Sequence, residues 1–244
     1  MKIFVADTYD AISKQAADEV IRIMKLRAHP VMCAASGDSP AGLYNEIVQR
    51  VKTNQIDTSN WYFVGLDEWA GMNGQDQGSC RYHLNEQFFH PLQIPDERIC
   101  FFDGRADDLE IECQRAENFI VSNGGMDVAI LGLGMNGHIG MNEPGTPAAM
   151  RSHVADLAET TKLVGQKYFK EPHQLTRGIT LGISTLMEAR HIILIVNGQH
   201  KAEITKKIIE EESSEQLPAS LLRKHPAYKI FLDAGAASEI IGEN

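Results

Sequence analysis

The 244-residue chain has little cysteine, no long apolar run and no excess of basic residues. Its four cysteines, Cys33, Cys80, Cys100 and Cys113, form no C-x-x-C pair, and none sits beside a histidine at zinc-ligand spacing. That argues against a structural metal and leaves the four as small apolar packing residues in a reducing compartment. The opening MKIFVADTYD reaches acidic residues after a very short apolar run. It therefore reads as neither signal peptide nor membrane span, and the expected location is the cytoplasm. Lys and Arg number 23 against 33 Asp and Glu, a formal net charge of −10. Such a balance repels a polyphosphate backbone and argues against a nucleic-acid partner. It does not exclude a small phosphate ligand, which a local cluster of N–H groups can hold. Linkers, low-complexity tracts and internal repeats are also missing, so residues 1–244 read as one domain, within the ~250 residues that a single α/β domain commonly reaches.

What is present is an alternation of short apolar runs with longer amphipathic stretches. The runs over 3–6, 31–36, 61–66, 98–102, 128–133, 192–197 and 229–233 read as strands. Several are apolar on consecutive positions, as in Val128-Ala129-Ile130-Leu131 and Ile192-Ile193-Leu194-Ile195-Val196. A strand apolar on both faces is covered on both faces, which implies a parallel sheet between helix layers. Helices are expected over 9–26, 41–53, 80–89, 107–122 and 200–212. In the first of these, Ile12, Ala16, Val20 and Ile23 recur on one face. The fold class that follows is a doubly wound, three-layer α/β/α, Rossmann-like domain with a mostly parallel sheet. Ligands bind such sheets outside the carboxyl ends of the strands, so the loops after the strands carry the functional signal.

The second strand runs into Ser36-Gly37-Asp38-Ser39-Pro40 and then a helix. A small-residue turn feeding a helix N-terminus offers free N–H groups and a positive dipole end to an anion. Asp38 counts against that reading, because a carboxylate repels phosphate. The third strand ends in Asp67-Glu68-Trp69. Neighbours in an extended segment point to opposite sides, so one of the two carboxylates faces the crevice, where burial can tune it as a general base. The fifth strand ends in GLGMNGHIGMNEPG, residues 132–145. Closely spaced glycines there surround Asn136, His138 and Glu143: an imidazole that titrates near neutral pH and a carboxylate able to orient it. G-x-G also begins a dinucleotide fingerprint, but this one follows the fifth strand, and no acidic strand end stands at ribose-binding distance. A nicotinamide site is therefore not expected. His83, His90, His191 and His225 show no ligand spacing and read as structural or surface residues.

These motifs together resemble the glucosamine-6-phosphate deaminase/isomerase family, which shares its fold with 6-phosphogluconolactonases. The resemblance spans nearly the whole chain and is strongest in LDEW (66–69), GLGMNGHIGMNEPG (132–145), RGITLGISTLMEAR (177–190), NGQHKA (197–202) and LPASLLRKHP (217–226). LDEW, Gly-Met-Asp at 125–127 and Thr-Arg-Gly-Ile-Thr at 176–180 are more similar to the galactosamine-6-phosphate branch. The resemblance implies that Asp67 is the base moving a proton between C2 and C1, that His138 handles the O1 and O5 protons, and that Glu143 is its partner. It places Asn136 where members carry Asp or Asn, which shortens the relay by one carboxylate. It assigns phosphate to Ser36, Gly37, Ser39 and Lys201. The family's phosphate-binding Arg aligns with Lys167, which lacks the bidentate fork, and Arg177 or His173 stands near enough in sequence to compensate. Asp38 departs from the usual Gly or Ala.

The expected reaction is the isomerising deamination of a galactosamine or glucosamine 6-phosphate, needing no metal and no cofactor. The expected partner is that small amino sugar phosphate, with neither nucleic acid nor membrane, and with a homo-oligomer left open. Residues 145–170 are expected to form a lid over the site. Two rival readings are a 6-phosphogluconolactonase-type hydrolase and a non-catalytic sugar-phosphate sensor. The sensor reading calls for a basic helix-turn-helix, for which a first strand at Ile3 leaves no room.

Overall fold

The structure is a computed structural model that describes residues 1–241. Its strands are β1 (Lys2–Ala6), β2 (Val31–Ala34), β3 (Tyr62–Gly65), β4 (Asp67–Trp69), β5 (Ile99–Cys100), β6 (Val128–Gly132), β7 (His153–Asp156), β8 (Arg177–Thr180), β9 (Ile192–Val196) and β10 (Tyr228–Asp233). Its α-helices are α1 (Tyr9–Met24), α2 (Asp38–Lys52), α3 (Cys80–Leu84), α4 (Leu109–Ser122), α5 (Glu159–Gly165), α6 (Ile183–Met187), α7 (Ala202–Glu210), α8 (Pro218–Leu221) and α9 (Ser238–Ile241). Seven strands form one parallel sheet in the order β1-β10-β9-β6-β2-β3-β5.

Alternation along each strand supplies two cores. On β2, Val31 and Cys33 face one side, and Met32 and Ala34 the other. On β9, Ile192, Leu194 and Val196 oppose Ile193 and Ile195 in the same way. The first side packs Cys113, Ala116 and Ile120 of α4 with Ile204 and Ile208 of α7; the second packs α1 and α2. Doubly apolar strands between two helix layers are what the consecutive apolar runs require. Among the described residues no helix is long and apolar enough to cross a membrane.

Several expectations need correction. The strand expected over 98–102 pairs only at Ile99 and Cys100. The helix expected over 80–89 is α for one turn and then widens into a π turn at Asn85–Phe89. The helix expected from 200 begins at Ala202, after a 3-10 turn at Gln199–Lys201. The first strand lies at the sheet edge, with Ile3, Phe4 and Val5 exposed rather than buried. A second sheet, antiparallel in the order β4-β8-β7, was not anticipated at all. The chain enters it at Leu66, whose N–H donates to Ala34 O of the first sheet and whose carbonyl accepts from Leu181 N. Asp67 thus stands where one sheet hands over to the other.

Candidate active site

From β2 the chain winds outward through β3 to β5, whereas from β6 it winds the opposite way through β9 to β10, which lies beside the edge strand β1. The β2–β6 boundary is therefore the topological switch point, where diverging loops leave a crevice. A cleft of about 210 Å³ opens there. The loop after β2, the strand β4 and the glycine-rich loop after β6 form its base, and α5 with the 3-10 turn Gln166–Tyr168 covers it.

One end of the cleft suits an anion. Gly37 caps α2 with φ 113° and ψ 178° and supplies no side-chain hydrogen bond to the first turn. Only glycine takes that conformation without strain, and the unfilled N–H groups of the first turn face outward. Ser39 Oγ donates to Asn197 Oδ1 at 2.7 Å, fixing the loop to the end of β9. Lys201 Nζ donates to Leu133 O at 2.6 Å. Burial lowers the Lys201 ammonium to about 8, helped by the nearby Lys167 and opposed by Asp38. Lys167 reaches in from the covering turn, and its Nζ lies 2.6 Å from Asp38 Oδ2.

The other end holds Asp67. Desolvation raises its carboxyl to about 6, against a hydrogen bond from the Cys80 thiol and the attraction of His138. Glu68 points the opposite way, fully buried, and accepts N–H donations from Trp69, Cys80 and Arg81 at 2.9, 2.9 and 3.0 Å. This one carboxylate ties the start of α3 to β4 and so sets Cys80 against Asp67. Gly140, at φ 58°, completes the wall; a Cβ there would come within 2.7 Å of Thr180 Oγ1 and 3.4 Å of Asp67 Oδ2.

The imidazole of His138 is oriented from behind. Asn136 Nδ2 donates to Glu143 Oε2 at 3.0 Å, which turns Asn136 Oδ1 toward the histidine. That oxygen accepts from His138 N–H at 3.2 Å and meets Nδ1 at 2.7 Å. Glu143 Oε2 lies 3.5 Å and Thr161 Oγ1 3.2 Å from the same Nδ1. With Asn136 Oδ1, Glu143 Oε2 and Thr161 Oγ1 all gathered on Nδ1, the tautomer that fits these contacts carries its proton there and leaves Nε2 as the acceptor. Burial opposes ionisation of Glu143, but hydrogen bonds from His138, Thr161 and Asn136 outweigh it and hold the carboxyl down at about 2. The relay is therefore imidazole, amide, carboxylate.

Asp67, His138, Ser36, Gly37, Ser39, Lys167 and Lys201 all line the one cleft, with Asn136 and Glu143 directly behind the histidine. Arg177 does not join them. It sits exposed on β8 opposite Asp156, because the second sheet carries it away from the loop after β2. His173 stacks on Phe169 at 4.8 Å, also away from the cleft. The expected lid over 145–170 is narrower than thought: 153–156 belong to β7, and the covering residues run from Thr160 to Tyr168. Cys80 packs in the core as expected and, in addition, lines the cleft, where it contacts both Asp67 and Ser36. Sequence reasoning also missed Thr161 and Asn197. Asn197 had a signal in the NGQHKA motif at 197–202, whereas Thr161 had none.

Fold and cleft define a doubly wound α/β protein that joins an anion cradle to an acid–base apparatus at its switch point. The chain belongs to the family of glucosamine-6-phosphate isomerases and 6-phosphogluconolactonases, whose model matches residues 6–230. It is 36% identical to a glucosamine-6-phosphate deaminase of Oceanobacillus iheyensis over 98% of this chain and 96% of that one. It is likewise 36% identical to glucosamine-6-phosphate deaminase 1 of Bacillus subtilis, over 98% and 99% of the two chains. The solved structure of a monomeric glucosamine-6-phosphate deaminase superposes with a TM-score of 0.94 at 35% identity, covering 98% of this chain and all of that one. A 6-phosphogluconolactonase of Trypanosoma brucei shares the fold, with a TM-score of 0.78 at 20% identity.

Proposed function

We propose that the chain converts a 2-amino-2-deoxyhexose 6-phosphate into the 2-keto hexose 6-phosphate and ammonia. The observation that carries this reading is the shared cleft: the Asp67 carboxylate and the His138 imidazole line it together with the anion cradle. A phosphorylated sugar laid along it presents its reducing end to the proton-transfer groups. His138 takes the O1 proton and delivers it to O5, which opens the pyranose. Asp67 removes the C2 proton, acidified by the C1 carbonyl; the electrons form the C1–C2 double bond as the C1–O1 double bond opens, and O1 takes a proton by way of His138 to give the enolamine. Protonation at C1 gives a C2 iminium. Water adds there and ammonia leaves, so a C–N bond breaks as the ketone forms. Oxidation at C2 is matched by reduction at C1, so the steps require no redox cofactor.

Relatives named as glucosamine-6-phosphate deaminases favour the gluco configuration, while the LDEW and TRGIT motifs keep the galacto isomer in the test. The assay is ammonia release from glucosamine 6-phosphate and galactosamine 6-phosphate, beside hydrolysis of 6-phosphogluconolactone. Release from neither amino sugar, with turnover of the lactone, would overturn the proposal. The solved structure of a monomeric glucosamine-6-phosphate deaminase favours a protomer that works alone. Size-exclusion chromatography with light scattering checks that.

The same groups set the pH range. Asp67 ionises near 6 and Lys201 loses its proton near 8. Activity should fall as the base is protonated below the first value, and as the phosphate loses its ammonium partner above the second. A bell-shaped kcat/KM profile is expected, and Lys201→Gln should erase its alkaline limb while raising KM. An unchanged alkaline limb in that variant would take Lys201 out of the phosphate site.

A further inference from the structure

The two positions at which the resemblance implies a departure, Asp38 and Lys167, meet in space. Asp38 and Lys167 are 129 residues apart in sequence, yet their charged atoms are 2.6 Å apart across the mouth of the anion cradle. Asp38 occupies the first turn of α2, where a carboxylate already interacts with the helix dipole that an incoming phosphate would use. Its side chain also holds the one cation that the covering turn brings to the cradle. Tyr168 reinforces the arrangement: Lys167 Nζ lies 4.9 Å from its ring centre, His83 packs edge-on against it at 5.1 Å, and a Cβ on Gly37 would come within 3.3 Å of its hydroxyl.

We propose that Asp38 is an internal competitor for the substrate phosphate. In the empty site its carboxylate takes the place of the phosphate on Lys167 and docks the covering turn against the loop after β2. Arrival of the sugar phosphate transfers Lys167 from Asp38 to the phosphate. Asp38 therefore weakens ground-state binding twice, by keeping Lys167 and by repelling the dianion. An ordinary positioning role would have the opposite sign, because a carboxylate that merely held Lys167 in place would tighten binding. The inference rests on the sugar-phosphate reading of this cleft.

Both partners are largely exposed, at 46% and 72%. Such pairs contribute up to ~1 kcal/mol, or about fivefold in binding. The test measures the Kd for inorganic phosphate by calorimetry and the KM for the amino sugar phosphate in the parent, Asp38→Asn, Lys167→Met and the double variant. Asp38→Asn should lower both constants roughly three- to fivefold. In the Lys167→Met background the same change should gain less, since only repulsion is left to relieve. Unchanged or raised constants in Asp38→Asn would overturn the proposal. So would a gain undiminished without Lys167, which would mean that the two charges only neutralise one another and never exchange. A parent protein that binds neither phosphate nor sugar phosphate would instead defeat the functional reading itself.

Discussion

Turnover of the Asp67→Asn variant is expected to fall roughly 10²- to 10⁴-fold, the usual contribution of a positioned proton-transfer group. The amide keeps the size and position of the carboxylate but cannot accept the C2 proton. Binding should change little, because the amide keeps the shape of the carboxylate and Ser36, Gly37, Ser39, Lys167 and Lys201 of the anion cradle are untouched. The measurement is ammonia release for kcat, beside calorimetric binding of a non-reacting sugar phosphate. A variant within tenfold of the parent kcat would assign the base to another group. Burial makes the effect large: a carboxyl raised to about 6 has the proton affinity that an exposed aspartate lacks.

His138→Asn is expected to cost a similar ~10²–10⁴-fold in kcat/KM for the cyclic substrate, for a different reason. Asn136, Glu143 and Thr161 all crowd Nδ1, which leaves Nε2 as the nitrogen available to the substrate. Removing the imidazole removes the carrier between O1 and O5. An analogue without O5 has no pyranose to open, so the variant should lose far less on it than on the natural sugar. An equal loss on both compounds would show that His138 serves a later step. Thermal unfolding controls for damage to the fold.

The parallel sheet was readable because its central strands are apolar at every position, a pattern that only a doubly covered sheet accommodates. Its edge strand β1 has the same apolar composition but is exposed, since composition does not say which strand is last. The second sheet escaped notice because β4, β7 and β8 have three or four residues each, too few to display a period. The cleft was largely readable from the strand-end rule: Asp67 and His138 follow strands that face the switch point. Alternation also separated Asp67 from Glu68, and the fully buried Glu68 with its three backbone donors bears that out. Arg177 does not reach the cleft, because it opens β8 and the antiparallel pairing with β7 sets it exposed opposite Asp156, a placement with no signal in the local sequence. The place of Cys80 in the cleft was missed because it depends on Glu68 gripping the start of α3, a contact with no sequence period.

The antiparallel pairing of β7 with β8 has a further bearing on how such a protein can diversify. Asp156 stands opposite Arg177, and Leu157 N–H donates to Thr176 O at 3.0 Å, so the covering segment between them leaves and returns through a zipped neck. The neck joins the sheet that also carries Asp67. Within that segment Ala158 and Thr161 hold the imidazole–carboxylate pair and Lys167 lines the anion cradle, but the positions between them can change as an exchangeable cassette, with the strand beneath held in register. Preference among substrates can then drift in the cassette while the residues gathered on the imidazole stay as they are.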